Sequence, residues 1–449
     1  MKPLAISRRV FPALLAIAFL FGPSQADSQQ PQQPPPLQLT LQRAVQIALK
    51  QNPSVQISVL NLAESHEESG IAFSQLLPEA NLNVSDRAVR ANVQANIGLS
   101  IPGVPKAVGP FQVFQTGADF SAPIFDLSLW RKWQAAHKNI ASADAQRLSV
   151  REQIILLVVS QYLGALRSGA EVSAAQSQVD LAQALYDQAS DMEKHGVATS
   201  VDVLRANVEL QNEKQALLVA QTNQKIALFG LAKLLNVPPQ QQITLSDQVS
   251  FFTTPEVNID QSLADAYKSR PEMQQLLAQQ QSLKYQKSAD RDSRLPALRF
   301  DGNYEQEGLS TSTIIPTYVY EAGITFPIFT GGRIHNEIAR DQLELQKINE
   351  SLQDERNEIA LEVETAAAQL ESARNQVQVA NLGDQLAQEE VSQSRDRFKA
   401  GVVDNIEVVT AQSALARADE NRISALYEYN QARADLTHAI GRVEMLYNK

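Results

Sequence analysis

Two hydrophobic periods alternate along this chain. From Val89 to Ile101 every second residue is apolar, with Val89, Ala91, Val93, Ala95, Ile97, Leu99 and Ile101 interleaved with Arg90, Asn92, Gln94, Asn96 and Ser100. A period of two predicts a strand. Residues 102–110 (PGVPKAVGP) predict a turn, after which Phe114, Ala118, Phe120, Ala122 and Ile124 alternate with Gln115, Gly117, Asp119 and Ser121. The pattern returns later. Leu298, Phe300 and Tyr304 face Arg299, Asp301, Asn303 and Glu305, then Tyr318, Tyr320, Ala322, Ile324, Phe326 and Ile328 face Glu321, Gly323 and Thr325. Hairpins are expected at about 80–125 and 297–329. An apolar face opposite a charged one fits a sheet half-buried on a helix. It equally fits a membrane barrel with lipid outside and a wet lumen inside. Four strands cannot close a barrel, which needs about eight, so a spanning barrel would be shared between chains.

Elsewhere the period is helical. No proline interrupts Asp126 to Gly196 or Arg333 to Gly401, and each stretch predicts a helix of about 100 Å. Beyond each glycine a heptad runs back. It passes through Ala206, Leu210, Glu213, Leu217, Ala220, Gln224, Ala227, Leu231 and Leu234 in one case. In the other it passes through Ala411, Leu415, Ala418, Arg422, Ala425, Tyr429, Ala432, Leu436 and Ala439. That spacing predicts antiparallel coiled-coil packing with turns near 196 and 401. Glu213, Gln224 and Arg422 within the seams argue against a dry bundle core, which leaves two readings, an ordinary antiparallel coiled coil and a curved wall of helices with one wet side.

The chain repeats itself. Leu41–Val55 resembles Ile259–Met273, Leu77-Pro78 matches Leu295-Pro296, and Pro123-Ile124-Phe125 returns as Pro327-Ile328-Phe329. Lys194-His195-Gly196-Val197 returns as Lys399-Ala400-Gly401-Val402. Two structural repeats are therefore expected, at 39–258 and 259–443, followed by a tail at 444–449. Ahead of them, Lys2, Arg8 and Arg9 precede an apolar stretch and Ser24-Gln25-Ala26. This arrangement predicts a signal peptide over 1–26. The Gln/Pro-rich 27–38 predicts a disordered leader.

Composition narrows the chemistry. The 449 residues contain no cysteine, which excludes disulfides, thiolate metal sites and a cysteine-linked lipid anchor. A balance of 39 Lys+Arg against 50 Asp+Glu argues against a nucleic-acid partner. No phosphate-binding glycine loop, zinc-protease helix motif or nucleophile elbow is present. No enzyme, cofactor or metal role is therefore expected, and His66-Glu67-Glu68 and His335-Asn336-Glu337 read as helix-surface residues. Twelve of the 27 aromatic residues fall in 79–133 and 296–330, which strengthens the barrel reading over the half-buried sheet.

Taken with Phe125–Arg131, Phe329–Arg333 and the tips Gly196–Val203 and Gly401–Val408, the chain resembles the TolC-type outer-membrane efflux proteins over about residues 37–443. The resemblance implies a mainly α fold with a β part. Long antiparallel coiled-coil helices would form an α-barrel tunnel through the periplasm. Each chain would add four strands to a trimeric, twelve-stranded barrel in the outer membrane. It implies a homotrimeric passive exit duct of a tripartite efflux or type I secretion system, working with a periplasmic adaptor and an inner-membrane transporter. Arg90, Asn92, Gln94, Asn96, Asp119, Arg299, Asp301, Asn303, Glu305 and Glu321 would line the lumen, with outer-membrane lipid outside. Trp130 and Trp133 would lie at the membrane interface. Gly196 and Gly401 would turn the helices at the tip, with Val197, Thr199 and Val402 meeting the adaptor. Asp202 and Glu407 occupy the gating acid positions. Thr410 stands where a second acid is expected, and Phe398 and Val403 where the family's tyrosine and arginine clamp the closed tip. Asp404 would restore some charge, and Arg205, Arg395 or Arg397 could supply other links. A reading from another class is a periplasmic coiled-coil scaffold that never enters a membrane.

Overall fold

The computed structural model describes residues 36–99, 102–247, 258–400, 402–403 and 405–447. The predicted signal peptide, most of the leader, Gly401 and Asp404 lie outside the described residues. Strand β1 (Leu37–Leu39) leads into α1 (Leu41–Gln51) and α2 (Pro53–Ser74). A hairpin follows, made of β2 (Glu79–Asn92), the short α3 (Val93–Ile97) and β3 (Ala107–Phe125). The chain then descends α4 (Leu127–Lys194) and returns on α5 (Ser200–Leu234). After β4 (Ile243–Leu245) the order repeats as α6 (Ile259–Ser269), α7 (Pro271–Asp292), β5 (Ala297–Gly308), β6 (Ile315–Thr325), α8 (Arg333–Lys399) and α9 (Asn405–Ala439), and α10 (Val443–Tyr447) closes it.

The long helices run 68 and 67 residues. Each packs along its lower half against its return helix; along its upper half α4 meets both α2 and α7, and α8 meets α7. The predicted heptads form the packing seams, with Ala206, Leu210, Leu231, Ala411, Ala425, Tyr429 and Leu436 buried. The polar intruders are half-buried, and Arg422 holds Asp384 at 3.1 Å and Asp419 at 3.5 Å. At mid-height the repeats mirror each other. Pro53 and Pro271 each open a helix at the first position, where a missing N–H costs nothing. The buried residues just before them reach the ends of the return helices. Asn52 donates to the Leu234 carbonyl at 2.9 Å, and Arg270 to the Ala439 carbonyl at 3.5 Å. One apolar core gathers around Ile155, Val158, Tyr162, Leu231 and Leu235, another around Ile359, Val363, Tyr429 and Leu436.

Strands β2-β3-β5-β6 form one antiparallel sheet in that order. None of the long helices packs across either of its faces, so the half-buried-sheet reading does not hold. Four boundaries also differ from expectation. The return strand expected through Ile328 ends at Thr325. Leu37 and Gln38, assigned to the disordered leader, form a strand with Leu39 that pairs in parallel with Ile243–Leu245. The presumed tail begins as helix α10, fixed by buried Val443 and the Arg151–Glu444 ion pair. The strand predicted over Val89–Ile101 stops at Asn92, whose side chain accepts from the Ala95 amide at 3.1 Å and caps α3.

Candidate functional site

Cross-strand register sorts the sheet residues by face. Ser121, Asp301 and Glu321 stand in one row, and Asn81, Asp119, Asn303 and Val319 in the next. Asn83, Gly117, Glu305 and Thr317 follow, with Arg299 beside Pro123 and Gly323 on the same face. Amides restrain these carboxylates. Asn83 donates to Asp119, and Gln115 and Asn303 both donate to Glu305. The Asn303 side chain also accepts from the Val319 amide at 2.8 Å. Asn81, Asp119, Ser121, Asp301, Asn303 and Glu321 line a cleft of about 380 Å³ on this face, together with parts of Phe120, Gly302 and Val319.

The other face is aromatic and aliphatic. Phe120 lies 5.9 Å from Phe300 and 5.7 Å from Tyr320, and Tyr318 lies 5.5 Å from Tyr320. These rings cover Gly302, where a Cβ would come within 2.5 Å of Phe120. Leu82, Ala118, Tyr304 and Tyr318 form the row beyond.

Four of the residues expected on the charged row do not belong to it. Gln94 and Asn96 lie in α3. Arg90 and Asn92 continue the even positions of β2, on the side of Ala80, Leu82 and Val84. The polar positions of β2 change phase near Val89: Asn81, Asn83 and Arg87 are odd-numbered, whereas Arg90 and Asn92 are even-numbered. At that point β3 takes up an extra residue, and Gly109, at φ 97°, packs onto the Val89 carbonyl. At the opposite end of the sheet Trp130 lies 4.8 Å from Trp133, which also meets Phe73 at 5.6 Å and His137 at 6.0 Å.

At the far end of the long helices the two turns pack together. Phe398 is only 5% exposed. It joins Leu185, Ala189, Ala206 and Val408 in a small core shared by both helical hairpins, with half-buried Val403 against it. Gly196 turns at φ 74°, and the Val197 amide returns to the Met192 carbonyl at 2.9 Å. Thr199 caps α5. Its amide and hydroxyl donate to the Asp202 carboxylate at 3.0 and 2.6 Å, and its hydroxyl accepts from the Asp202 amide at 3.3 Å. Those hydrogen bonds, with Arg205 at 3.7 Å, hold the Asp202 carboxyl below its usual range. Glu407 instead pairs with Arg397 across the second turn at 2.5 Å. The Thr410 hydroxyl donates to its own helix at the Ile406 carbonyl, 2.8 Å away. Val197 and Val402 project into solvent, 66% and 69% exposed. The capping box was signalled by Thr199-x-x-Asp202 but not read from the sequence.

Among the described residues no group of acids and histidines could hold a metal ion, and no helix is long and apolar enough to cross a membrane. The model of the outer membrane efflux protein family matches residues 44–237 and 263–442, one stretch in each structural repeat. The chain belongs to that family. As an outer membrane efflux protein it is an export channel of the outer membrane, with its helical tunnel on the periplasmic side. The alkaline protease secretion protein AprF of Pseudomonas aeruginosa is 21% identical over 410 residues, covering 88% of this chain and 83% of AprF. The Campylobacter jejuni CmeC outer membrane channel has the same fold, with a TM-score of 0.78 and 18% identity over 90% of this chain and 86% of CmeC. So does the open state of the Neisseria gonorrhoeae MtrE outer membrane channel, with a TM-score of 0.73 and 19% identity over 90% of this chain and 89% of MtrE. Membership excludes the periplasmic scaffold reading.

Proposed function

We propose that three copies of this outer membrane efflux protein close their sheets into one twelve-stranded barrel. The assembly would be a passive exit duct for a tripartite efflux or type I secretion system. The observation that carries the reading is the four-stranded sheet itself. Among the described residues only the short α3 touches β2 and β3, and no long helix covers either face or either edge strand, β2 or β6. An uncovered edge is a standing invitation to pair, and closure removes it. The aromatic band from Leu298 to Tyr304 extends about 20 Å along the strand. That approaches the outward apolar band of about 25 Å in outer-membrane barrels. The charged face, with Asp119, Arg299, Asp301, Asn303, Glu305 and Glu321, then lines a hydrated lumen. Arg90 and Asn92 lie beyond the apolar band, toward the outer surface.

At the periplasmic end, threefold assembly brings Asp202 and Glu407 of each chain around the narrowest opening. Val197, Thr199 and Val402 form the apex that meets the adaptor, through which the inner-membrane transporter delivers cargo. AprF is named for secretion of a protease, and CmeC and MtrE are outer membrane channels. These are the export uses that such a duct serves. The closed tip is held by the Phe398 core and by the Arg397–Glu407 pair, in place of a tyrosine–arginine clamp.

The test uses adjacent residues of β6. Ala322→Arg puts a cation on the lipid-facing side, at a cost of about 2–4 kcal/mol near the midplane, and should abolish trimer assembly in the outer membrane. Glu321→Arg points into the lumen and should assemble, changing ion selectivity in planar bilayers. Equal assembly of the two variants would refute the face assignment.

A further inference from the structure

The two strand-to-helix links differ, although both contain Pro-Ile-Phe. Strand β3 ends at Phe125 and Asp126 alone separates it from α4, whereas residues 326–332 intervene between β6 and α8. In the first link a bulge after Pro123 sets Phe125 opposite Leu298, within the aromatic face. In the second, Ile328 and Phe329 belong to no strand and stand 91% and 88% exposed. Leu77 and Leu295, also exposed, occupy the turns that enter β2 and β5 at the same end of the sheet. Together these exposed side chains gather at the end of the sheet that meets the helices, an apolar collar at the foot of the aromatic face. Exposed Lys132, Arg294 and Arg333 follow it on the helical side, and Arg333 also holds Glu337 at 2.9 Å.

We propose that this collar beds into the periplasmic leaflet of the outer membrane. Phospholipid acyl chains would rest against Ile328 and Phe329, and the headgroup phosphates would meet Lys132, Arg294 and Arg333. The inference rests on the lipid-facing reading of the aromatic sheet face. Large apolar side chains this exposed need an apolar solvent or a partner. The collar's place at the foot of the membrane band and the cations at its edge match a phospholipid leaflet, which presents hydrocarbon and then phosphate in that order. Trp130 and Trp133 sit at the same level, where indole rings favour the boundary.

The chain has only two tryptophans, so Trp130→Phe with Trp133→Phe gives a dark background. In that background Phe329→Trp is made in the full-length protein and reconstituted as trimers in phosphatidylethanolamine–phosphatidylglycerol vesicles. Bromines placed high on the acyl chains should extinguish most of its emission, and aqueous acrylamide should have little effect. Acrylamide quenching without bromine quenching would place the collar in water. Resistance to both would place it against a neighbouring subunit. Either result overturns the proposal. Ile328→Trp gives the same readout should Phe329→Trp fail to form trimers. Ala322→Trp serves as the control for the sheet. If bromines quench it and the collar stays bright, only the collar inference fails. If it too stays bright, the lipid-facing sheet reading fails with it.

Discussion

The two periplasmic turns use their acids differently, although the duplicated sequence places both at the same distance from a glycine. In the first, Asp202 is consumed inside its own helix end, bonded to Thr199 and only 18% exposed at its side chain. In the second, Glu407 reaches across the turn to Arg397 and ties α8 to α9. The first acid fixes where a helix starts, and the second fixes how two helices sit against each other. Equivalent positions in a repeat therefore need not share a role. The Phe398 core is what the two turns hold in common.

Removing that common element should have the largest effect. Phe398→Ala should cost about 3–5 kcal/mol of local stability. It should speed hydrogen exchange in both turns at once and raise the open fraction in single-channel recordings. Exchange that accelerates in one turn only would break the view of a shared core. Thr199→Ala should cost about 1 kcal/mol and loosen the start of α5 while leaving the first turn of α9 protected. Glu407→Gln should cost less, within the ~0.2–1 kcal/mol of an exposed ion pair. Its effect should shrink with added salt and appear as easier opening rather than helix fraying. The smallest signal is acid dependence. Because hydrogen bonds lower the carboxyl pKa of Asp202, its stabilisation is complete above the ordinary aspartate range and lost as pH falls through the lowered folded value. Asp202→Asn should flatten that acid limb in exchange measurements of the first turn. An unchanged limb would mean another group sets it.

Much of the architecture was legible because it rests on long, regular patterns. The proline-free stretches and the heptads became the helices they predicted, whereas the duplicated Pro-Ile-Phe ends a strand in the first repeat and lies beyond the strand in the second. What escaped depended on one residue or on distant pairing. The alternation at 89–101 is real in the sequence. Gly98 as a left-handed end and Asn92 as a cap nevertheless turn its second half into α3, and no periodicity count weighs a cap. The phase change near Val89 matters because a period of two reverses faces with a single step. Strands β1 and β4 are too short to show a period, and they exist because their partners lie about two hundred residues away. At the tip, Phe398 was visible as a departure from the family clamp. Its burial between two hairpins is a tertiary fact that spacing alone does not reveal. Arg397 was one of several arginines within reach, and only the turn geometry selects it for Glu407.

The unequal links between sheet and helices carry a mechanical consequence. Where Asp126 alone joins β3 to α4, there is almost no free torsion, so a twist of the barrel passes directly into that rod. Where residues 326–332 join β6 to α8, the longer link, with Gly331 and Gly332 at positive φ, would take up part of the same twist. Around a closed ring, driven and idling rods would then alternate. A duct assembled from six similar hairpins would transmit torque through only three of them, and the idling three, which carry Phe398 and Glu407, would be free to move when the tip opens.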